Sequence, residues 1–194
     1  MQLTGRVALI TGAGSGIGKS AARTLAQEGA KTACLSRTRN QVEEVAAAIR
    51  KAGGEAMPLV ADISQADQME DAVRKIVEVW GRIDIVVANA GINGVWAPLE
   101  EITEDEWDQT FAINVRGTFL TVKYALPYLK RQGGSVIVVS SVNGTRIFSN
   151  TGFTAYSCSK AAQLAFTKMT ALELAPHKVR VNCICPGAIN TEIF

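Results

Sequence analysis

Four glycines within eight residues, at positions 12, 14, 16 and 18, constrain the fold of this chain more than any other feature. They follow a short apolar run, residues 7–10, and precede a helical pattern that extends to Glu28. Without Cβ atoms the backbone can turn sharply and approach a phosphate, while the following helix offers unpaired N–H groups and the positive end of its dipole. The arrangement predicts a strand, a phosphate-binding loop and a helix, with a purely structural turn as the alternative.

The alternation of apolar runs and helical patterns continues along the chain. Further strands are predicted at residues 32–35, 56–60, 83–88, 135–140 and 179–184, and helices at 41–51, 64–80, 104–130 and 154–175. Ser64-x-x-Asp67 and Thr103-x-x-Glu106 resemble helix capping boxes. Because the apolar runs are continuous rather than alternating, both faces of each strand should be covered. The predicted fold is α/β: one doubly wound parallel sheet, the Rossmann fold, in a single domain over residues 1–194.

Composition limits the partners of the chain. With 47% hydrophobic and 20% charged residues, the 194-residue chain can bury a sizeable core. A net charge of +2, with scattered basic residues, indicates neither a nucleic-acid surface nor a polybasic membrane patch. No apolar run is long enough to cross a bilayer, and residues 1–6 lack the hydrophobic segment of a signal peptide. We therefore expect a cytoplasmic protein with a small-molecule partner.

Cysteine and histidine usage argues against metal chemistry. The four cysteines have no Cys-x-x-Cys spacing, and Cys183 and Cys185 share one face of the last predicted strand. They are predicted to be small buried hydrophobic residues. The single histidine, His177, is predicted at a helix end or on the surface, which gives little support for a Ser/His/Asp triad. No metal site is expected.

Tyr156 and Lys160 are four residues apart in a helical pattern, which places both side chains on one helix face. A free tyrosine titrates near pH ~10, so proton transfer near neutrality needs a pKa lowered by roughly 2 to 3 units, or about 3 to 4 kcal/mol. A nearby ammonium group has the right charge to stabilise the phenolate. The pair predicts a general acid and base, and the alternative is a half-buried tyrosine beside a solvated lysine.

The end of the second predicted strand bears on the choice of cofactor. NAD-binding chains usually carry an acidic residue there for the ribose 2′-hydroxyl. This chain has Ser36, Arg37, Thr38 and Arg39, and no acid before Glu43. An arginine suits a 2′-phosphate through bidentate hydrogen bonds, so NADP(H) should be favoured over NAD(H). Stacking of Arg37 on the adenine, which serves either cofactor, is the alternative.

Several motifs occur in order along the chain. They are Thr11-Gly-x-x-x-Gly-x-Gly18, Asn89-Ala-Gly91, Asn114, Ser140-Ser141, Tyr156-x-x-x-Lys160 and Pro186-Gly187. Together they resemble the short-chain dehydrogenase/reductase family, single-domain type, over essentially the whole chain. The resemblance implies an oxidoreductase that transfers a hydride between NADP(H) and a carbonyl or secondary alcohol.

The resemblance also implies roles for individual residues. Tyr156 would pass a proton to the carbonyl oxygen, and Ser141 would hydrogen-bond that oxygen. Lys160 would hold the nicotinamide ribose and lower the tyrosine pKa, and Asn114 would continue a proton relay through water. Asp62 would bind the adenine, with a turn or helix-start role as its alternative. The implied cofactor-binding residues are Gly12, Ser15, Gly16, Ile17, Gly18, Ser36, Arg37, Asp62, Ile63, Asn89, Ala90, Gly91, Tyr156, Lys160, Pro186, Gly187 and Thr191.

The chain departs from the family pattern in two places. The loop between Ser141 and Tyr156 is slightly longer than usual, which leaves Ser140 open as the donor, although the motif register favours Ser141. The chain also stops at Phe194, where relatives continue through a substrate lid and a further strand. Both the lid and that C-terminal strand are therefore expected to be absent.

Partners and rival functions stay open. The resemblance implies a homotetramer or homodimer that pairs through apolar seams of helices 104–130 and 154–174, unless those seams are buried within the monomer. Rival functions are a non-catalytic dinucleotide-binding scaffold or redox sensor, and a methyltransferase, which has no need for Tyr156 and Lys160 together. Both a sugar and a hydrophobic ketone remain open as substrates. Candidate pocket walls are Asn93, Gly94, Val95, Trp96, Asn143, Arg146, Phe148 and Phe153.

Overall fold

The computed structural model describes residues 1–146 and 151–191, which form a six-stranded parallel sheet. The strands lie in the order β3-β2-β1-β4-β5-β6, and each hydrogen-bonded pair is parallel. This confirms the predicted doubly wound sheet, with strand boundaries close to the predicted ones. The strands are β1 (Val7–Thr11), β2 (Lys31–Ser36), β3 (Ala56–Val60), β4 (Ile85–Ala88), β5 (Gly134–Val139) and β6 (Val179–Ile184).

Helices connect the strands and cover both faces of the sheet. The predicted continuous helix over residues 104–130 is interrupted by a π-helix, Ala112–Arg116. A π-turn shifts the register by only one residue, so the apolar spacing of the sequence does not reveal it. The described part of the chain also contains the short 3₁₀ helices Leu99–Glu101, Val142–Gly144 and Ala175–His177. The α-helices are α1 (Gly16–Gln27), α2 (Arg39–Lys51), α3 (Ala66–Trp80), α4 (Glu104–Phe111), α5 (Gly117–Gln132) and α6 (Thr154–Leu174).

The two predicted capping boxes have different outcomes. At the start of α4, the hydroxyl of Thr103 accepts from the backbone N–H of Glu106 at 3.3 Å, and the Glu106 carboxylate accepts from the Thr103 N–H at 2.9 Å. The box proposed at Ser64 is wrong. Both the N–H and the hydroxyl of Ser64 donate to Asp62 Oδ1, at 2.8 and 2.7 Å, so α3 begins at Ala66 without a side-chain cap.

Burial explains the continuous apolar runs. Val7 and Leu9 of β1 point into one hydrophobic core, while Ala8 and Ile10 point into a second core on the opposite face of the sheet. All four residues are at most 1% exposed. A strand covered on both faces has no solvent side, so its sequence shows no polar alternation.

The predicted seam of the fourth long helix belongs to the core of the monomer. Val122, Ala125 and Leu129 are buried against the sheet in the same core as Leu9. The seam of this helix is therefore buried within the monomer, and its side chains cannot also form a subunit interface.

The cysteines differ partly from expectation. Cys34 is buried as predicted, but Cys158 is exposed, which contradicts the prediction for that residue. Cys183 and Cys185 are only half-buried, and their sulfur atoms lie 3.9 Å apart. The prediction that both are buried is wrong because β6 is an edge strand of the described sheet. His177 is exposed at the end of a 3₁₀ helix, as predicted. Within residues 1–146 and 151–191, no cluster of three metal-ligating side chains is present, and no helix has the length and apolar character needed to cross a membrane.

The topology fixes the place of the site. β1 pairs with β2 on one side and with β4 on the other, so the chain reverses its direction of winding between β1 and β4. Open α/β sheets bind ligands at the carboxyl ends of strands at such a switch point. The loop after β1 holds the glycines, and the loop after β4 begins with Asn89.

Candidate active site

The chain turns from β1 into α1 so tightly that neither Gly12 in the loop nor Gly18 in the first turns of α1 has room for a side chain. Gly12 has a φ of 66°, in the left-handed region, and a Cβ atom there would lie 2.7 Å from Nδ2 of Asn89. A Cβ atom on Gly18 would collide with the carbonyl oxygen of Gly12. Ser15 precedes the first turn of α1, whose N–H groups have no partners within the helix. The loop therefore suits close approach of a phosphate.

The Thr11 side chain joins the ends of β1 and β4. Its hydroxyl oxygen accepts from the backbone N–H groups of Asn89 and Ala90, at 3.1 and 3.2 Å. In return, the Asn89 side chain donates to the carbonyl oxygens of Thr11 and Gly12, at 3.0 and 3.4 Å. Sequence reasoning missed this role of Thr11, because its only signal was its position before the glycines.

Two connected cavities run along the carboxyl edge of the sheet. The larger, about 260 Å³, is lined by the glycine loop, the segment after β4 and the predicted catalytic side chains of α6. The smaller, about 190 Å³, lies toward β2 and β3. They share Gly12, Ser15, Ala90, Gly91 and Ile92. The predicted residues Gly16, Ile17, Asn89, Ser141, Tyr156, Lys160, Pro186, Gly187 and Thr191 line the larger cavity, and Ser36, Arg37, Asp62 and Ile63 line the smaller.

Arg37 and Asp62 face each other across the smaller cavity. Their closest charged atoms are 3.8 Å apart, and the Arg37 side chain is 58% exposed. The other carboxylate oxygen of Asp62 already accepts two hydrogen bonds from Ser64. The ion pair is long and exposed, so it contributes little stability and leaves the guanidinium accessible.

Tyr156 and Lys160 lie on one face of α6, as their spacing predicts. The ammonium nitrogen of Lys160 is 5.5 Å from the centre of the Tyr156 ring and donates to the carbonyl oxygen of Val139 at 3.1 Å. Lys160 is only 5% exposed. Burial lowers the pKa of Lys160 to about 8, a shift that the nearby Cys183 and Cys185 sulfurs oppose.

The two adjacent serines at the end of β5 have different surroundings. Ser140 donates its hydroxyl proton to the backbone carbonyl of Lys160 at 2.7 Å. The hydroxyl oxygen of Ser141 accepts from the N–H of Asn143 at 3.2 Å, which leaves its proton available to a ligand. Both residues line the larger cavity beside Tyr156.

Asn114 lies in the π-helix and is fully buried rather than facing a cavity. Its side chain accepts from the N–H of Ile92 at 2.8 Å and donates to the Ile92 carbonyl at 2.9 Å. It also donates to the hydroxyl of Ser159, which donates to the Tyr156 carbonyl. Gln163 binds the Asn114 carbonyl from the next turn of α6. The sequence analysis identified neither Ser159 nor Gln163.

The residues predicted to line the substrate pocket lie in several different parts of the structure. Asn93 lines the larger cavity, whereas Gly94 and Val95 line a shallow depression beside α4. Asn143 is buried and Arg146 is exposed. Trp96 and Phe153 stack on each other. Phe148 lies outside the described residues.

Known proteins that resemble this chain in sequence and structure identify its family. A family profile described as short chain dehydrogenase matches residues 6–194. The chain belongs to the short-chain dehydrogenase family. An uncharacterized oxidoreductase from Thermotoga maritima is 44% identical over 193 residues, which is 99% of this chain and 75% of that protein. The crystal structure of a 3-ketoacyl-ACP reductase from Sinorhizobium meliloti 1021 is 57% identical, with a TM-score of 0.94 over 95% of this chain and 72% of that chain.

This short-chain dehydrogenase is an oxidoreductase whose structural neighbours include complexes with both nicotinamide dinucleotides. A 3-ketoacyl-(acyl-carrier-protein) reductase from Brucella melitensis complexed with NADH is 35% identical, with a TM-score of 0.92 over 98% of this chain and 79% of that chain. A short chain dehydrogenase from Burkholderia cenocepacia J2315 in complex with NADP is 32% identical, with a TM-score of 0.94 over 100% of this chain and 78% of that chain. The family thus accommodates either dinucleotide.

Proposed function

We propose that this short-chain dehydrogenase interconverts a carbonyl and a secondary alcohol, with Tyr156 as general acid and base and with NADP(H) preferred. One observation carries the proposal: Tyr156, Lys160 and Ser141 open into the same cavity as the glycine loop. The loop and the first turn of α1 fit a pyrophosphate, with the two cavities extending to either side. The dinucleotide supplies or accepts the hydride, so the protein has to supply or accept the proton.

Lys160 supports the proton-transfer role of Tyr156. With a pKa of about 8, Lys160 is roughly 90% charged at pH 7. Its ammonium nitrogen lies 5.5 Å from the centre of the Tyr156 ring, and a positive charge this close favours a phenolate over a phenol. The ammonium group therefore suits the task that the sequence assigns to it.

We assign the carbonyl-binding hydroxyl to Ser141 rather than to Ser140. The proton of Ser140 is committed to the Lys160 backbone, which fixes the turn of α6 that carries the lysine. The Ser141 hydroxyl has a free proton and can donate to a developing alkoxide. Ser140 then has a supporting role and Ser141 a catalytic one.

We further propose that Asn114 acts mainly by holding the loop after β4 in position against the helix that carries Tyr156. Its side-chain amide is occupied by Ile92 and Ser159, which joins the loop after β4 to the helix that carries Tyr156. An amide with both ends occupied is suited to holding two elements in register. The proton relay through water remains a prediction.

The preference for NADP(H) is supported by the charge in the smaller cavity. Ser36 ends β2 where an acidic residue would bind a ribose 2′-hydroxyl, and it carries no charge to repel a 2′-phosphate. The accessible guanidinium of Arg37 beside it can bind that phosphate bidentately. Asp62 lines the same cavity, where its carboxylate is held by Ser64 and lies beside Arg37.

We also propose a homodimer or homotetramer. Phe119 on α5 and Met169 and Leu172 on α6 are 43%, 55% and 71% exposed, and they lie on the two helices predicted to pair between subunits. Burying such apolar surface is favourable at about 25 cal/mol per Å². Sedimentation of the parent and of Leu172→Asp tests this, because a charge there should dissociate the oligomer. A cytoplasmic location and the organisation of residues 1–194 as one dinucleotide-binding domain remain predictions.

The function is tested by following the loss of reduced-nicotinamide absorbance with NADPH and, separately, NADH. The substrates are a panel of ketones, keto-acyl thioesters and sugars. We expect faster turnover with NADPH and at least a ~100-fold loss of kcat in Tyr156→Phe, because the variant removes only the proton donor. Tyr128→Phe, on α5 and away from both cavities, is the matched control and should retain activity.

The alternatives give different results in the same experiment. Tight NADPH binding without turnover on any substrate would support a scaffold or redox sensor. Binding of S-adenosylmethionine in place of NADPH would support a methyltransferase. Turnover that survives in Tyr156→Phe would remove Tyr156 from the mechanism.

A further inference from the structure

Two successive ring contacts link Tyr156 to Phe153 and Phe153 to Trp96. The ring of Phe153 lies 5.7 Å from that of Tyr156, at a tilt of 53°. The indole of Trp96 stacks on Phe153, with ring centres 4.7 Å apart and an angle of 22° between the planes. Trp96 is therefore two ring contacts away from the proposed proton donor. We call Trp96 and Phe153 the aromatic wall.

The position of Trp96 is fixed by its neighbours. The indole N–H donates to the carbonyl oxygen of Thr151, and the N–H of Ala97 donates to the Gly152 carbonyl at 3.3 Å. Gly152 has a φ of 91°, and a Cβ atom there would collide with the indole ring. The segment after β4 and the segment before α6 are thus built to hold this indole over a glycine.

Trp96 nevertheless remains 62% exposed, whereas Trp80 and Trp107 are half-buried. An indole that was only a packing element would cover most of its surface, because burial of apolar area is what stabilises such a contact. The only polar atom of the indole is already bonded to Thr151, and Phe153 has none. The open face of the aromatic wall is therefore flat and without free hydrogen-bonding groups.

We propose that the aromatic wall binds a flat apolar ring carried by the substrate, so that the substrates are ketones, or the corresponding alcohols, with an aromatic ring near the reacting carbon. The proposal rests on the proposed function, because it takes Tyr156 as the point where the carbonyl oxygen sits. Aromatic rings prefer stacked or edge-to-face contacts with other rings beyond the gain from burial alone. A sugar would need partners for its hydroxyl groups, and the aromatic wall offers none.

The test compares two ketones of the same carbon skeleton, phenyl methyl ketone and cyclohexyl methyl ketone, with an aldose as the polar alternative. The measured quantity is the ratio of kcat/KM for phenyl over cyclohexyl. We expect the parent to prefer the phenyl ketone and Trp96→Leu to lower the ratio about 2- to 12-fold. Trp96→Phe should retain most of the preference, because it keeps a ring but loses the N–H.

Trp107→Leu is the matched control. Trp107 stacks on Phe111 with ring centres 4.8 Å apart and an angle of 21°, nearly the same geometry, but it lies on α4, and among the described residues no ring contact links this pair to Tyr156. Its ratio should equal that of the parent. The proposal is overturned if the parent prefers the cyclohexyl ketone or the aldose, if Trp96→Leu leaves the ratio unchanged, or if Trp107→Leu lowers it equally.

Calorimetry separates this proposal from the proposed function. Titration of each ketone into NADPH-loaded Tyr156→Phe measures binding without turnover. Tighter binding of the phenyl ketone, lost in the double variant with Trp96→Leu, supports the aromatic wall even if the parent turns over no ketone. Turnover by the parent with equal binding of the two ketones retains the proposed function and overturns the aromatic wall.

Discussion

The side-chain nitrogen of Gln163 lies 2.8 Å from the carbonyl oxygen of Asn114 and donates a hydrogen bond to it. The same nitrogen donates to the Thr118 hydroxyl at 2.7 Å, and Gln163 is 1% exposed. The Thr118 hydroxyl donates to the same Asn114 carbonyl at 2.8 Å, so two side chains bond to this carbonyl within the π-helix. The proposed catalytic helix and the π-helix are joined at this point.

Gln163→Glu should destabilise the protein strongly at pH 7, because it replaces the donor with a buried carboxylate that faces a carbonyl. We expect a loss of at least about 3 kcal/mol in the free energy of unfolding. Burial would raise the folded pKa of this carboxyl, so the loss should be small below the unfolded value near pH ~4 and grow as the pH rises. Urea unfolding at pH 4 and pH 7 measures it. Gln27→Glu, on the exposed end of α1, should show no such growth.

Lys160→Met should make the protein more stable at pH 7 while it abolishes turnover. The pKa of about 8 means that the folded chain releases the lysine proton more readily than the unfolded chain, whose lysine titrates near 10.5. The cost of burying the charge is therefore complete below pH 8 and disappears as the pH rises to about 10.5. The gain at pH 7 should be up to about 3 kcal/mol.

Thermal unfolding of both chains between pH 7 and pH 10.5 checks this expectation. The matched control is Lys168→Met, an exposed lysine on the same helix, which should leave stability nearly unchanged. A Lys160→Met variant less stable than the parent at pH 7 would contradict the account of the buried ammonium.

Thr11→Val should weaken dinucleotide binding and the fold together. Valine has the shape of threonine but leaves the N–H groups of Asn89 and Ala90 without their acceptor, at a cost of about 2 kcal/mol. Urea unfolding and NADPH titration measure the two effects. Thr121→Val is the control, because that buried hydroxyl only donates to the Gly117 carbonyl within α5. An unchanged NADPH affinity in Thr11→Val would mean that the loop keeps its shape without this contact.

Arg37→Ala should reduce NADPH affinity and leave NADH affinity nearly unchanged. Loss of charge-assisted hydrogen bonds to a 2′-phosphate is worth about 1.5 to 3 kcal/mol, or roughly a 10- to 100-fold increase in Kd. Fluorescence titration of both reduced dinucleotides measures the ratio. Arg39→Ala, whose side chain is 69% exposed and pairs with Glu43, is the control. An equal loss for NADH would instead support stacking of Arg37 on the adenine.

Local patterns predicted most of the fold. The strands, most helix limits and the Thr103 capping box follow from apolar runs and neighbouring side chains that interact within a few residues. The glycine loop and the Tyr156–Lys160 spacing are equally local, and the structure brings these residues to one cavity. Sequence analysis succeeded where the interacting residues are close together in the chain.

The remaining features depend on contacts between distant residues. Gln163 lies 49 positions from Asn114, and Thr11 lies 78 positions from Asn89. Ser64 does not cap α3 because its hydroxyl donates to Asp62 instead. The partial burial of Cys183 and Cys185 depends on which strand forms the edge of the sheet. Periodicity carries no information on such partners.

The two connected cavities separate the chemistry of the substrate from the identity of the cofactor. Arg37 and Asp62 reach the smaller cavity from the ends of β2 and β3, while Ser141, Tyr156 and Lys160 reach the larger one from β5 and α6. The two cavities share the glycine loop and the segment after β4 as lining elements. If Arg37 binds the 2′-phosphate and Tyr156 donates the proton, as proposed, a change at Arg37 would redirect the enzyme between cellular pools of reducing equivalents without disturbing the proton donor. Evolution and protein engineering can vary the two ends of this cleft one at a time.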